Sequence, residues 1–178
     1  MQHSKFYSGR LSSYKKLDPF RPVIVNDGGS IRYPTFSRFT IMKKGTDFLE
    51  RYWDHIDAIL TGTLYHNQSR AAFADGFTYR GQPIIISEFG GIAYNNDDNG
   101  WGYGHKVDTE QEFLRRFDAI TSAIKKLPYC CGFCYTQVTD VQQEINGLMD
   151  IDRNFKVNPE AVREINLRQI EKQCKTKV

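Results

Sequence analysis

Two kinds of apolar pattern alternate along the chain. Short, largely apolar runs predict strands at Val23–Val25, Ile84–Ser87 and Gly132–Thr136, and the isoleucine run at 84–86 predicts a strand buried on both faces. Longer patterns, with apolar residues at helical spacing, predict helices over residues 5–16, 46–60, 108–126 and from 158 onwards. Because strands alternate with helices, we predict an α/β fold with a parallel sheet and right-handed crossovers.

Long polar loops follow the last two predicted strands, over residues 88–106 and 137–157. Loops of this length in a compact domain are usually functional. Each begins where a predicted parallel strand ends, so we expect both at the same edge of the sheet. In parallel α/β folds, the residues that carry chemistry lie at that edge.

The stretch Pro83–Gly91 places a carboxylate at the end of the most apolar strand. Isoleucines at 84–86 precede Ser87 and Glu88, and two glycines follow Phe89. A carboxylate at the mouth of a buried strand is costly unless it is used or paired. From this stretch alone, a catalytic glutamate and a salt-bridged glutamate are equally open interpretations.

Composition and charge limit the classes of partner. A chain of 178 residues that is 40% hydrophobic is long enough for one domain with a real core. Its net charge of +3 is too small to predict binding to nucleic acid. We also expect no membrane partner, because no apolar run reaches the ~18 residues of a membrane span.

The cysteines predict neither a metal site nor a cofactor. Cys131 and Cys134 have metal-like spacing, but no second pair completes a site. We interpret these thiols as reduced and buried, which is typical of a reducing compartment. Since Met1–Lys5 also lacks the apolar segment of a secretory signal, we predict a cytoplasmic location.

Four stretches resemble the catalytic barrel of family-2 glycoside hydrolases, the group of β-galactosidases, β-glucuronidases and β-mannosidases. They are Leu17–Ile24 with Asn26–Gly28, Ile86–Gly91, Gly132–Leu148, and Asp152–Arg153 with Lys156. The second and third stretches are specific as a pair. The resemblance implies that residues 1–178 form the C-terminal half of a (β/α)8 barrel, a partial TIM barrel with approximately strands five to eight and their helices.

The resemblance also implies a retaining glycoside hydrolase that cleaves terminal β-glycosidic bonds of the β-galactoside or β-glucuronide class, with Glu88 as the nucleophile. A retaining enzyme needs a second carboxyl group, ~5–5.5 Å away, to protonate the leaving oxygen. The family carries that residue at the end of strand four, which has no counterpart in this chain. We therefore expect a fragment that is inactive alone, whose missing partners are the N-terminal barrel half and the β-sandwich domains.

Four further residues are candidates for contacting a carbohydrate substrate. Trp101 is a possible stacking platform for a sugar ring, or alternatively an anchor of its loop. The family places an aromatic residue under the bound sugar at the position of Tyr135. Asn26 and Asp27 end the implied strand five, where they bond sugar hydroxyls or form a turn with Gly28.

Residues 29–44 depart from the family pattern. The family has a His-Asp-Tyr in strand six, with its tyrosine close to the nucleophile, whereas this chain has Phe39–Met42 there. Codons can be chosen for the segment so that one added base yields Ile-Leu-Thr-Ile-His-Asp-Tyr-Glu-Glu. We interpret the segment as one that is read out of frame between two compensating single-base changes, with plain divergence as the alternative.

Two other interpretations of the whole chain stay open. One is a catalytically inactive carbohydrate-binding or scaffold remnant, and the other is an unrelated barrel hydrolase with its glutamate on strand seven. Gln137, Asp140 and Glu144 are expected to bond the backbone of their own long loop rather than a ligand.

Overall fold

A computed structural model of the chain describes residues 12–21, 36–37, 50–65, 71–73, 78–81, 83–94 and 100–172. In these ranges, three parallel strands form one sheet in the order β1 (Phe36–Ser37), β2 (Ile84–Gly90) and β3 (Cys130–Thr136). The helical elements are residues 12–17, a π-helical turn at Glu50–Asp54, α1 (Ile56–Leu60), α2 (Glu110–Lys126) and α3 (Pro159–Leu167). The predicted α/β class is confirmed.

Several predictions fall outside the described residues. The predicted strand at residues 23–25 and the candidate residues Asn26 and Asp27 lie there. Of the segment 29–44, which we interpret as frame-shifted, the structure describes Phe36 and Ser37. These two residues pair with β2.

Helix α2 forms where the apolar periodicity predicts it, and its apolar side chains are buried. Its N-cap is Thr109, so α2 starts slightly later than the predicted residue 108, and the Thr109 hydroxyl accepts the backbone N–H of Glu112 at 3.2 Å. A hydroxyl at this position satisfies one of the free N–H groups of the first turn. The buried side chains include Phe113, Phe117, Ile120 and Ile124.

Helix α3 begins as predicted, with Asn158 as its cap and Pro159 at its first position. The Asn158 side chain accepts the backbone N–H of Glu160 at 2.9 Å. The other end of α3 is held by α2, since Lys125 Nζ donates to the carbonyl oxygens of Ile165 and Asn166 at 3.2 and 2.9 Å. A lysine there satisfies carbonyl groups that have no partner within the helix.

The helices cover one face of the sheet. On that face, the side chains of Ile84, Ile86 and Phe89 are buried with apolar residues of α1 and α2 in one cluster. Successive side chains of a strand point to opposite faces. Ile85, Ser87 and Glu88 lie between these buried residues along β2 and are half-buried.

The prediction of buried cysteines is wrong for two of the described thiols. Cys130 is half-buried, but Cys131 and Cys134 are exposed, because β3 is an edge strand of the described sheet. Across the described ranges, no group of three His, Cys, Asp or Glu residues is placed to hold a metal ion. A helix long and apolar enough to cross a membrane does not occur in the same ranges.

Candidate functional site

A β-bulge in β2 lies at Ser87 and Glu88. Ile86 pairs with Phe133 and Phe89 pairs with Tyr135, so two residues of β2 stand opposite the single residue between these partners on β3. Bulges of this kind change the direction of a side chain and are frequent beside active sites. Because Phe89 is buried beneath the helices, the preceding Glu88 lies on the opposite face of the sheet.

The two glycines after Phe89 allow aromatic rings to pack directly on the backbone. Gly90 and Gly91 have positive φ angles of 92° and 65°, a conformation that suits glycine. A Cβ atom on Gly90 would overlap the ring of Tyr135, and one on Gly91 would overlap the ring of Tyr103. Each glycine therefore has one tyrosine ring packed on it: Tyr135 on Gly90, the last residue of β2, and Tyr103 on Gly91, the residue that follows.

The loop after β2 folds back over the end of that strand. The backbone N–H of Tyr103 donates to Gly91 O at 2.7 Å, and that of Val107 donates to Ala93 O at 2.9 Å. These bonds are a continuation of strand-like pairing beyond β2. They hold Tyr103 beside the residue that follows β2.

The loop after β3 joins the same edge of the sheet. The Trp101 N–H donates to Gln143 O at 2.7 Å, and Ile145 N–H donates to Trp101 O at 2.8 Å. Trp101 is 49% exposed, and its ring meets that of Tyr103 edge to face with centroids 5.7 Å apart. Trp101 is thus anchored through its backbone while its indole ring reaches solvent.

A buried ion pair stabilises the second loop. Lys156 Nζ donates to both carboxylate oxygens of Asp140 at 2.8 Å and to Ile145 O at 2.9 Å. Asp140 Oδ1 also accepts the Gly147 N–H at 2.7 Å, which confirms that Asp140 bonds the backbone of its own loop. Burial lowers the pKa of Lys156, opposed by its bonds to Asp140.

Burial and the negative charges of two carboxylates raise the pKa of Tyr103. The pKa of Tyr103 is raised first by burial, then by the charge of Glu144 and then by that of Glu88. Glu144 differs from its prediction, because Oε1 accepts the side-chain amide of Asn146 at 3.1 Å rather than a backbone group. Tyr103 was missed at the sequence level, although its Trp-Gly-Tyr-Gly setting was visible in the loop after Glu88.

Tyr135 does not lie where a sugar platform is expected. Its ring packs edge to face against Phe89 and Phe117, with centroids 5.6 and 5.1 Å apart, on the helix-covered face. Its hydroxyl donates to Asn146 O at 3.1 Å and accepts the Ile92 N–H at 3.4 Å. Burial raises the pKa of this hydroxyl. Tyr135 and Glu88 therefore lie near the carboxyl ends of neighbouring strands, β3 and β2, but the side chain of Tyr135 joins the core to the loops.

Comparison with solved structures identifies proteins with a similar fold. The chain is similar to two crystal structures of a GH2 β-galacturonidase from Eisenbergiella tayi, one bound to galacturonate and one to glycerol. The first has a TM-score of 0.56 at 17% identity over 90% of this chain, and the second 0.55 at 18% identity over 97%. A β-glucuronidase from Bifidobacterium dentium matches 74% of the chain with a TM-score of 0.45 at 14% identity.

These matches define how far the likeness extends. The chain spans 29% and 31% of the two galacturonidase chains, and at such low identity the likeness establishes a shared fold. No protein-family model matches the chain, and no curated protein sequence matches it. The two structures that share this fold are of a glycoside hydrolase.

Proposed function

We propose that the chain is the C-terminal part of the catalytic (β/α)8 barrel of a retaining β-glycosidase, with Glu88 as the nucleophile. The observation that carries this proposal is the position of Glu88. It lies in a bulge near the carboxyl end of a parallel strand, on the face opposite the described helices, with the half-exposed Trp101 in the adjoining loop. The fold shared with GH2 enzymes supports the same assignment.

The proposed reaction begins with attack of a Glu88 carboxylate oxygen on the anomeric carbon of a β-glycoside. A bond forms between that oxygen and the anomeric carbon, and the bond to the leaving oxygen breaks. Water then hydrolyses the glycosyl–enzyme ester. This chain spans about a third of the GH2 β-galacturonidase chains. We assign the proton donor for the leaving oxygen to a part of that fold which this chain does not span.

The sheet itself is consistent with part of a barrel. Its three strands are parallel, and helices pack on one face, as on the outside of a (β/α)8 barrel. The half-buried residues Ile85 and Glu88 would then face the barrel interior. In this proposal, the other strands of the barrel would cover that face and complete the pocket around Glu88.

The nucleophile can be tested without the missing proton donor. Dinitrophenyl 2-deoxy-2-fluoro-β-glycosides carry a leaving group that departs unprotonated, and the fluorine slows hydrolysis of the ester. Incubation with the galactoside and the glucuronide should add one fluoroglycosyl group to the peptide that contains Glu88, as measured by mass spectrometry. Ordinary aryl glycosides should not turn over, because general acid catalysis is worth ~10²–10⁴-fold.

Matched variants control this experiment. Glu88→Gln should abolish labelling, whereas Glu160→Gln, an exposed change at the start of α3, should leave it unchanged. A label on another residue, or no label on a chain with native helical circular dichroism, would contradict the assignment of Glu88.

An inactive carbohydrate-binding domain is the second candidate function, favoured by the 49% exposure of the anchored Trp101. It predicts binding of methyl β-glycosides that persists in Glu88→Gln and is lost in Trp101→Ala. Saturation-transfer NMR measures this binding directly. Binding without any covalent labelling would favour this function over the hydrolase.

A further inference from the structure

Trp101, Glu144 and Val141 form a row across the two loops at the carboxyl edge of the sheet. Glu144 stands directly opposite Trp101 in a parallel pairing and directly opposite Val141 in an antiparallel one. The N–H groups of Val141 and Glu144 each donate to the other residue's carbonyl oxygen, at 3.1 and 2.9 Å. Residues paired in this way carry their side chains on the same side. The Glu144 side chain therefore starts between the two apolar side chains.

The row is open to solvent and its carboxylate is held in place. Trp101 and Val141 are 49% and 53% exposed, and Glu144 is half-buried. The side-chain amide of the buried residue Asn146 donates to Glu144 Oε1 at 3.1 Å. Since a carboxylate has about four acceptor positions, this bond leaves Glu144 able to accept hydrogen bonds from a ligand.

This combination of groups has the chemistry of a sugar subsite. An exposed indole ring offers a large, flat apolar surface on which the CH groups of a pyranose can pack. The hydroxyl groups of the sugar donate to an adjacent carboxylate. The row also adjoins the end of β2, because the Trp101 ring meets the ring of Tyr103, which packs on Gly91.

The charge of Glu144 limits which sugar fits. Lys156 belongs to the same loop, but its three Nζ hydrogens go to the Asp140 carboxylate and Ile145 O, so none is left for a carboxylate on a ligand. The carboxylate of an ionised uronic acid beside Glu144 would bring two negative charges together. The hydroxymethyl group of a neutral hexose avoids that repulsion.

We propose that the row of Trp101, Glu144 and Val141 is a subsite for an uncharged β-hexopyranoside and that Glu144 excludes the corresponding β-glycuronide. The inference deepens the proposed function and rests on it, because it chooses between the β-galactoside and β-glucuronide classes. Glu144 is then a residue that determines specificity, and it takes no part in bond cleavage.

Ligand titrations of the full chain, followed through the ¹⁵N–¹H signal of the Trp101 indole, test the proposal. Methyl β-galactopyranoside and methyl β-galacturonide form a matched pair, and so do the two glucose analogues, because each pair differs only in a hydroxymethyl group or a carboxylate. At neutral pH, the uncharged member should bind about 10-fold more tightly than the ionised one. Trp101→Phe identifies the signal, since the chain has two tryptophans.

Two comparisons assign the preference to charge. Glu144→Gln keeps an oxygen that accepts the Asn146 amide but removes the negative charge, so the ratio of the two affinities should fall to about threefold or less. The control Glu160→Gln removes an exposed carboxylate at the start of α3 and should leave the ratio unchanged. The methyl ester of the uronide, which is uncharged, should bind the wild-type chain as the neutral glycoside does, a test that needs no variant.

Several results would overturn the inference. They are a uronide that binds as tightly as its neutral counterpart, an ester that binds no better than the ionised uronide, and a preference that persists in folded Glu144→Gln. The absence of any shift of the Trp101 signal with either sugar pair would overturn it as well.

The two proposals fail in different ways. If the fluoroglycosides label Glu88 but the sugars show no preference that depends on Glu144, the nucleophile stands and the subsite fails. If the preference depends on Glu144 but no label forms on Glu88, the subsite stands and the nucleophile assignment fails.

Discussion

Replacing Lys156 by methionine should destabilise the chain more than any change to an exposed ion pair. The lysine and Asp140 side chains are only 9% and 4% exposed, and all three Nζ hydrogens have acceptors. Methionine has a similar length but cannot donate a hydrogen bond, so Asp140 would keep a buried charge that still accepts the Gly147 N–H. Removing one partner of a buried ion pair costs about 3–5 kcal/mol.

Urea unfolding followed by circular dichroism measures the effect. With a slope of about 2 kcal/mol per molar, the expected loss lowers the unfolding midpoint by about 1.5–2.5 M. The control is Arg163→Met, which breaks an exposed pair with Glu160 at 3.8 Å and should change stability by less than about 0.5 kcal/mol.

A double variant separates the unpaired charge from lost packing. Lys156→Met with Asp140→Leu removes both charges and should be more stable than Lys156→Met alone, because no isolated carboxylate stays buried. The reasoning is refuted if the free energy of unfolding of Lys156→Met differs from that of the wild type by less than about 1 kcal/mol, which is the net contribution of one hydrogen bond. A double variant that is no more stable than the single one would also refute it.

Two further predictions follow from local geometry. Gly90→Ala should lower the free energy of unfolding in urea by about 2–4 kcal/mol. The φ of 92° is strained for alanine, and the new methyl group would overlap the ring of Tyr135. Gly132→Ala is the neutral control, because the nearest atom to its new methyl group is Ile85 Cγ2 at 4.0 Å. Bonds from the Asn154 side chain and backbone lower the pKa of Asp150 below 3.8, so its stabilisation is complete above that value and is lost as pH falls through the folded-state pKa. Asn154→Ala should raise the Asp150 pKa in an NMR titration, and an unchanged value would contradict this cause.

The elements with strong local signals were predictable from the sequence. The apolar periodicity located α2, and Asn158 followed by Pro159 located the start of α3. The strand at residue 84 was predicted to end at Ser87, but it continues to Gly90. It continues because the bulge at Ser87 and Glu88 absorbs one residue and lets Phe89 return to the core face.

The site was less predictable because it depends on contacts between distant segments. The sequence indicated Glu88 and Trp101, but not the pairing of Trp101 with residues 143–145. It also gave no means to decide which face of β3 the side chain of Tyr135 would take. That choice depends on the register with β2, where Tyr135 stands opposite the buried Phe89.

The glycine pair after Phe89 links the core to the candidate site. Gly90 receives the ring of Tyr135, whose hydroxyl bonds the loop at Asn146, and Gly91 receives the ring of Tyr103. Packing of the core therefore fixes the backbone that leads from Glu88 to the loop above it. As the proposed nucleophile, Glu88 would have to be held in a narrow range of positions, and a strand buried on its helix-covered face provides a more rigid support than a loop alone.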